Sequence, residues 1–218
     1  MSRGLFITFE GSEGCGKSTQ VQRLSVRLER AGVPFLLTRE PGGTNIGEKI
    51  RHLLQFAPEA AAMYPETELL LFEASRSQLV REVIRPALDR GQLVISDRFF
   101  DSTTVYQGAA RKLDAAIVTQ LNDFAIGSCR PDVTFLLDVD LATARARMLR
   151  RVRPVGAADR MEQEPAEFYE RVAAAYRDLA AREAHRVKLI NAARSPDEIE
   201  AEIWAAVQSK IENRKSKL

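Results

Sequence analysis

The chain is poor in cysteine, with only Cys15 and Cys129 among 218 residues. That excludes a disulfide framework and makes a reducing cytoplasm the expected compartment. It also lacks an excess of either charge. Lys+Arg 32 against Asp+Glu 30 leaves a net charge of +2, too balanced to mark a nucleic-acid surface. No apolar run approaches the ~20 residues that a membrane-spanning helix needs, and no basic stretch leads into an apolar one with a cleavage site at the N-terminus. The final Ser216-Lys217-Leu218 matches a peroxisomal address, but it ends a polar, lysine-rich tail (213–218) that reads more simply as solvated chain end. No repeat, low-complexity block or long linker interrupts the sequence. One domain spanning 1–218 is therefore expected.

What is present begins at residues 11–18, Gly-Ser-Glu-Gly-Cys-Gly-Lys-Ser, directly after the apolar run Leu5-Phe6-Ile7-Thr8-Phe9. This is the phosphate-binding loop pattern G-x-x-x-x-G-K-[ST], set between a strand and a helix where it can work. Glycines let successive backbone N–H groups turn toward one anion, and the opening helix adds the positive end of its dipole. Gly11, Ser12, Glu13, Gly14, Cys15, Gly16, Lys17, Ser18 and Thr19 therefore form the candidate ATP cradle. Lys17 is placed to reach the β- and γ-phosphates, and the Ser18 hydroxyl to hold Mg²⁺.

Strand-length apolar runs recur at Leu5–Phe9, Pro34–Thr38, Leu93–Ser96, Val133–Val139 and Val187–Ile190. Between them lie helical patterns at 18–31, 45–55, 66–89, 102–126, 141–151, 164–185 and 196–213. Strands alternating with helices predict an α/β fold, a five-stranded parallel sheet flanked by helices on both faces. Gly32 closes the first helix, and Ser195-Pro196-Asp197-Glu198 opens the last as a capping box with proline at its first turn. Pro86 strains the long helix near its end. The stripe Ile199, Ile203, Val207, Ile211 faces the core.

Ligands of such sheets gather at the carboxyl ends of the strands. Asp97 closes an apolar strand, the place for a second Mg²⁺-directed carboxylate, and the neighbouring Arg98 is suited to grip a phosphate bidentately. Leu69, Phe72, Arg76, Leu79 and Val83 are spaced 3, 4, 3, 4 and share a core-directed face. A guanidinium there requires either a ligand acceptor or an internal partner, with Glu73 and Glu40 in reach. Six arginines (Arg145, Arg147, Arg150, Arg151, Arg153, Arg160) surround a stretch of small residues, which reads as a mobile lid over 147–160 that brings positive charge to a transferring phosphoryl group.

Five segments together resemble the bacterial type of thymidylate kinase. They are Phe9 to Thr19; Arg39-Glu40-Pro41-Gly42-Gly43-Thr44; Phe72-Glu73-Ala74-Ser75-Arg76; Asp97 to Gly108, which includes Ser102, Thr103, Tyr106 and Gln107; and Asp159-Arg160-Met161-Glu162. The resemblance implies a P-loop NTPase fold and transfer of a phosphoryl group from ATP to dTMP with Mg²⁺, the metal at Ser18 and Asp97. It implies that Phe72 stacks on thymine, Arg76 bonds an exocyclic oxygen, and Arg39 and Arg98 hold the acceptor phosphate. Thr103 then faces the base, Tyr106 packs under the deoxyribose, and Glu13 meets the sugar 3′-hydroxyl. Glu40, Pro41, Ser102 and Gln107 belong to the same substrate-binding segments. Residues 12–15 contain no arginine, so the catalytic arginine is expected in the lid, with Arg147, Arg153 and Arg160 as candidates beside Lys17, Arg98 and Glu13. A homodimer packed through helices is also implied, and the apolar Leu70, Leu71 and Ala74 are compatible with one. The chain departs from the family pattern in a longer lid (Leu149 to Val155), in Cys15 and in Phe99.

Two other readings are weaker. A kinase for another monophosphate needs different base-reading residues, and a GTPase-like switch needs the Asn-Lys-x-Asp guanine reader, which this sequence lacks. The loop Asn191 to Arg194 is the candidate neighbour of adenine.

Overall fold

The computed structural model describes residues 3–150 and 160–215. Five parallel strands, β1 (Phe6–Glu10), β2 (Phe35–Arg39), β3 (Leu93–Asp97), β4 (Val133–Asp138) and β5 (Val187–Asn191), lie in the order β2-β3-β1-β4-β5. The central strand β1 is buried throughout, and consecutive side chains enter opposite cores. Ile7 and Phe9 pack with Leu24 and Leu28 of α1 (Lys17–Arg30). Phe6 packs on the other face with Leu79, Ile84 and Phe99. Leu136 of β4 joins a third cluster with Phe168, Val172 and Tyr176. Helices therefore cover both faces, as the alternating pattern requires.

The remaining helices are α2 (Asn45–Gln55), α3 (Pro65–Leu79), α4 (Arg85–Asp89), α5 (Phe100–Thr103), α6 (Ala115–Ile126), α7 (Leu141–Leu149), α8 (Ala166–Arg182) and α9 (Pro196–Lys215). At the start of α9 the Glu198 N–H donates to Ser195 Oγ and the Ser195 N–H donates back to the Glu198 carboxylate, so the capping box forms. Ile199, Ile203 and Val207 are buried beneath that helix as expected, and Ile211 is half-buried.

Two predicted helices are not single α-helices. The 66–89 segment passes through a π-helical turn at Val80–Ile84 before Pro86 enters at the start of α4. The wider turn accommodates a residue that cannot donate a helical hydrogen bond. The 102–126 segment is π-helical at Thr104–Ala110 and then breaks, with Lys112 at φ 62°. Asp114 restarts the chain as the cap of α6, accepting from the N–H groups of Ala116 and Ile117. An apolar period cannot register such a break, because Asp114 acts through its own backbone neighbourhood.

Candidate active site

β1, β2 and β3 run in register, Phe9 beside Asp97 and Asp97 beside Arg39. That register brings the ends of three strands, and the residues following them, to one edge of the sheet. A cavity of about 630 Å³ opens there.

The phosphate loop forms one end of it. Gly14 adopts φ 76°, and a Cβ there would lie 2.3 Å from the Ala144 carbonyl oxygen of α7. Gly11, at φ 135°, would clash in the same way with the Leu137 carbonyl at 2.4 Å. Only glycine lets the loop lie this close to its neighbours. Gly14, Gly16, Lys17, Ser18 and Thr19 line the cavity. The Lys17 ammonium donates to the carbonyls of Gly11 and Ser12, both at 2.9 Å. The Ser18 hydroxyl donates to Asp97 Oδ2 at 3.0 Å, joining the two residues expected at the metal.

Cys15, the departure from the family pattern within the phosphate loop, is a position where alkylation is expected to hinder ATP binding. It is 1% exposed, turned into the core cluster under the sheet, with Lys17 Nζ 3.6 Å from its sulfur. Alkylation therefore requires local opening. Thiol titration of the native protein is expected to be far slower than in denaturant for both Cys15 and Cys129, which is also buried. Rapid native modification of Cys15 would contradict this placement.

Arg98 stands at the centre. Its backbone sits at φ 70°, a left-handed conformation uncommon outside glycine, and its side chain lines the cavity. The guanidinium donates to Glu13 at 2.6 Å, Ser102 Oγ at 3.0 Å, and the hydroxyls of Tyr176 and Tyr106 at 3.3 and 3.4 Å. Tyr106 also donates to Glu13 at 2.8 Å. Burial alone would raise the Glu13 pKa, but Arg98 and Lys17 outweigh it and hold the carboxyl below its ordinary value.

Two members of this centre escape sequence reasoning. Glu10, fully buried at the end of β1, accepts from the Phe99 N–H at 2.8 Å, Ser102 Oγ at 2.6 Å and Tyr176 hydroxyl at 2.8 Å. Burial, helped by nearby Asp101, raises its pKa. Tyr176 lies on the apolar stripe of α8 and reads as core; its hydroxyl is the only signal, and a weak one. Tyr176→Phe removes an acceptor from Arg98 and a donor from Glu10. It is expected to lower urea-unfolding stability by about 1–2 kcal/mol and to reduce kcat several-fold without changing the ATP requirement. Unaltered kcat would separate Tyr176 from Arg98.

The other end of the cavity is lined by Phe72, Glu40, Pro41, Thr103, Gln107 and Met161. Arg76 lies behind this wall, 1% exposed, and is not among the lining residues. The two partners considered from sequence are both present. Its Nε and Nη2 donate to Glu40 Oε2 at 2.9 and 2.7 Å, and Nη1 donates to Glu73 at 2.7 Å and Asn122 at 3.1 Å. Nη2 also donates to Thr103 Oγ1 at 2.9 Å. All five guanidinium N–H donors are thus engaged, and a ligand oxygen reaches Arg76 only by displacing one of these acceptors. Burial pushes the Glu40 carboxyl up to about 7, the pull of Arg76 only partly offsetting it. Glu40 Oε1 has no hydrogen-bond partner among the described residues.

Arg39 lines the cavity from the edge strand, its guanidinium bridging both oxygens of Glu48 at 2.9 and 3.0 Å. Of the candidate lid arginines, Arg147 lines the cavity and donates to the Ala192 carbonyl at 3.1 Å, tying α7 to the 191–194 loop. Arg160 is placed elsewhere: it pairs with Glu68 of α3 and donates to the Leu54 carbonyl, and it does not line the cavity. Arg153 lies outside the described residues, with most of the lid and the Ser-Lys-Leu end. Arg51, Gln55 and Met148 line the cavity without having been singled out, and Arg150, named among the six lid arginines but not as a catalytic candidate, lines it too. Nothing local distinguishes Arg51 and Gln55 from ordinary helix residues, whereas Arg150 sits within the arginine-rich stretch.

Comparison with known proteins shows the family. The family model described as thymidylate kinase matches residues 9–203. The thymidylate kinase of Deinococcus radiodurans is 47% identical over 210 residues, covering 96% of this chain and 99% of that protein. That of Syntrophotalea carbinolica is 45% identical, covering 94% and 96%. The crystal structure of the Ehrlichia chaffeensis thymidylate kinase superposes with a TM-score of 0.75 at 35% identity, over 94% of this chain and 99% of the other. With the phosphate loop, the Asp97-Arg98 strand end and the Phe72 wall meeting in one cavity, the chain belongs to the thymidylate kinase family.

Proposed function

We propose that this cavity holds two nucleotides end to end, the donor at the phosphate loop and the acceptor against Phe72, meeting between Lys17 and Arg98. The chain is an ATP-dependent kinase that transfers the γ-phosphoryl of ATP to dTMP, giving ADP and dTDP. The observation that carries the two-nucleotide reading is continuity. Lys17, Arg98, Tyr106 and Phe72 line a single cavity, so a phosphate loop and an aromatic wall share one space.

In this reading the attacking group is a phosphate oxygen of dTMP, already anionic near neutral pH. No general base is required, and the barrier lies in bringing two polyanions together. Lys17 and the loop N–H groups hold the donor. Arg98, released from Glu13, and Arg39, released from Glu48, take the acceptor phosphate, and the freed Glu13 is placed to receive the sugar hydroxyl. Tyr106 packs beneath the sugar and Thr103 faces the base. Arg147 and Arg150 add positive charge at the rim. Ser18 and Asp97 would hold Mg²⁺. One hydroxyl and one carboxylate 3.0 Å apart suit an ion that keeps phosphate and water ligands. Among the described residues no cluster of three His, Cys, Asp or Glu could cage a metal alone. When bound, Mg²⁺ neutralises charge on the phosphate oxygens.

ADP release with each monophosphate in turn tests the assignment. Turnover with dTMP is expected far above UMP and AMP; equal rates with all three would overturn the acceptor reading.

The chain works in this proposal as one domain in the cytoplasm and as a homodimer. No helix among the described residues is long and apolar enough to cross a membrane. Leu70 on α3 and Ile117 and Phe124 on α6 are 56%, 56% and 75% exposed, an apolar surface on two helices packed together. Light scattering is expected to give twice the chain mass, and Phe124→Arg to halve it.

A further inference from the structure

Gln107 lines the acceptor end of the cavity, yet its side-chain nitrogen is directed away from it, donating to Glu68 Oε1 at 2.7 Å. A carboxylate only accepts, so this contact settles which end of the carboxamide is which. The amide oxygen, with no protein donor among the described residues, is the end left for a ligand. Glu68 is itself 1% exposed and held by two cations. Arg111 spans both its oxygens, Nη2 donating to Oε2 at 3.1 Å and Nε to Oε1 at 3.2 Å, and Arg160 pairs with Oε2. Burial would raise its pKa, but the hydrogen bonds from Arg111, Gln107 and Arg160 outweigh that and keep it ionised.

We propose that Glu68 is a positioning residue that sets base specificity: it locks Gln107 with its oxygen toward the acceptor base, so that the pocket demands an N–H donor there. This rests on the acceptor reading above. A keto pyrimidine such as thymine carries one ring donor, N3–H. Cytosine carries a lone pair at N3 and would face the amide oxygen as acceptor against acceptor. An unrestrained glutamine could turn over and serve either base; this one cannot, because turning over would set its oxygen against the Glu68 carboxylate.

The test measures kcat/KM for dTMP and dCMP, at saturating ATP, in four proteins: wild type, E68Q, Q107L and the double variant. In E68Q the single remaining oxygen is expected where two arginine groups meet, at the Oε2 position, against one at Oε1, so an NH₂ group faces Gln107 and turns it over. The dTMP:dCMP ratio is expected to fall by about tenfold or more in E68Q and in Q107L, with no further fall in the double variant, while the KM for ATP stays unchanged. E68D keeps an acceptor-only group and is expected to hold the ratio within about threefold of wild type. Collapse in Q107L with an unaltered ratio in E68Q would overturn the role of Glu68 and leave the acceptor reading standing. An unaltered ratio in Q107L would instead remove Gln107 from the base, and the inference with it. Should E68Q not fold, loss of the ratio in E68D would equally overturn the proposal.

Discussion

Replacing Lys17 by methionine is expected to lower kcat by about a thousandfold or more, with stability changed little. Methionine keeps the length and the apolar stem of lysine but supplies no charge. The ammonium is positioned by the carbonyls of Gly11 and Ser12, in a loop whose Gly11, Gly14 and Gly16 all adopt positive φ. The backbone N–H cradle would remain, so ATP would still bind, more weakly. The charge lost is the one opposite the transferring phosphoryl, where low local dielectric makes it most effective. Single-turnover kinetics separates the two effects. A K17M enzyme with near-normal kcat and only a raised KM for ATP would assign Lys17 to binding alone.

Replacing Arg76 by alanine has the larger structural consequence. Glu40 and Glu73 are both nearly buried, and Arg76 is the cation that faces them. Its removal leaves two carboxyls without that partner and Thr103 and Asn122 without a donor, a change expected to cost about 3–5 kcal/mol of stability. Because Glu40 and Thr103 line the acceptor end, the dTMP requirement is expected to rise at least about tenfold, while ATP affinity stays close to wild type. Urea unfolding and separate titrations of the two nucleotides check this. Loss of ATP binding in a folded R76A protein would detach Arg76 from the acceptor side.

Arg76 shows how far sequence reasoning reaches. Its place on an apolar face announces a buried charge that needs a partner, and Glu40 and Glu73 are correctly within reach. What cannot be read is that all five donors find protein acceptors, one of them Asn122 on a different helix. The same holds for Arg160. Its place among the arginines suggests catalysis, but folding delivers it to Glu68, a residue on α3 that no local pattern connects with it. Glu10 and Tyr176 are 166 positions apart and meet at 2.8 Å. Helix boundaries follow a similar division: the regular period at 45–55 gives α2 its observed limits, whereas the break at 111–114 is invisible to any periodic template.

From the residues alone came the phosphate loop, the strand-end Asp97-Arg98 pair, the five-stranded parallel sheet and the family resemblance. Each of these depends on neighbours a few positions apart, where glycine conformation, side-chain spacing and strand length act directly on the backbone. Folding alone decided which cation faces which carboxylate, that Cys15 turns into the core, and that the Gln107 amide nitrogen meets Glu68. Those outcomes depend on distances between elements, and burial strengthens an ion pair or hydrogen bond only after the sheet and its helices have closed around it.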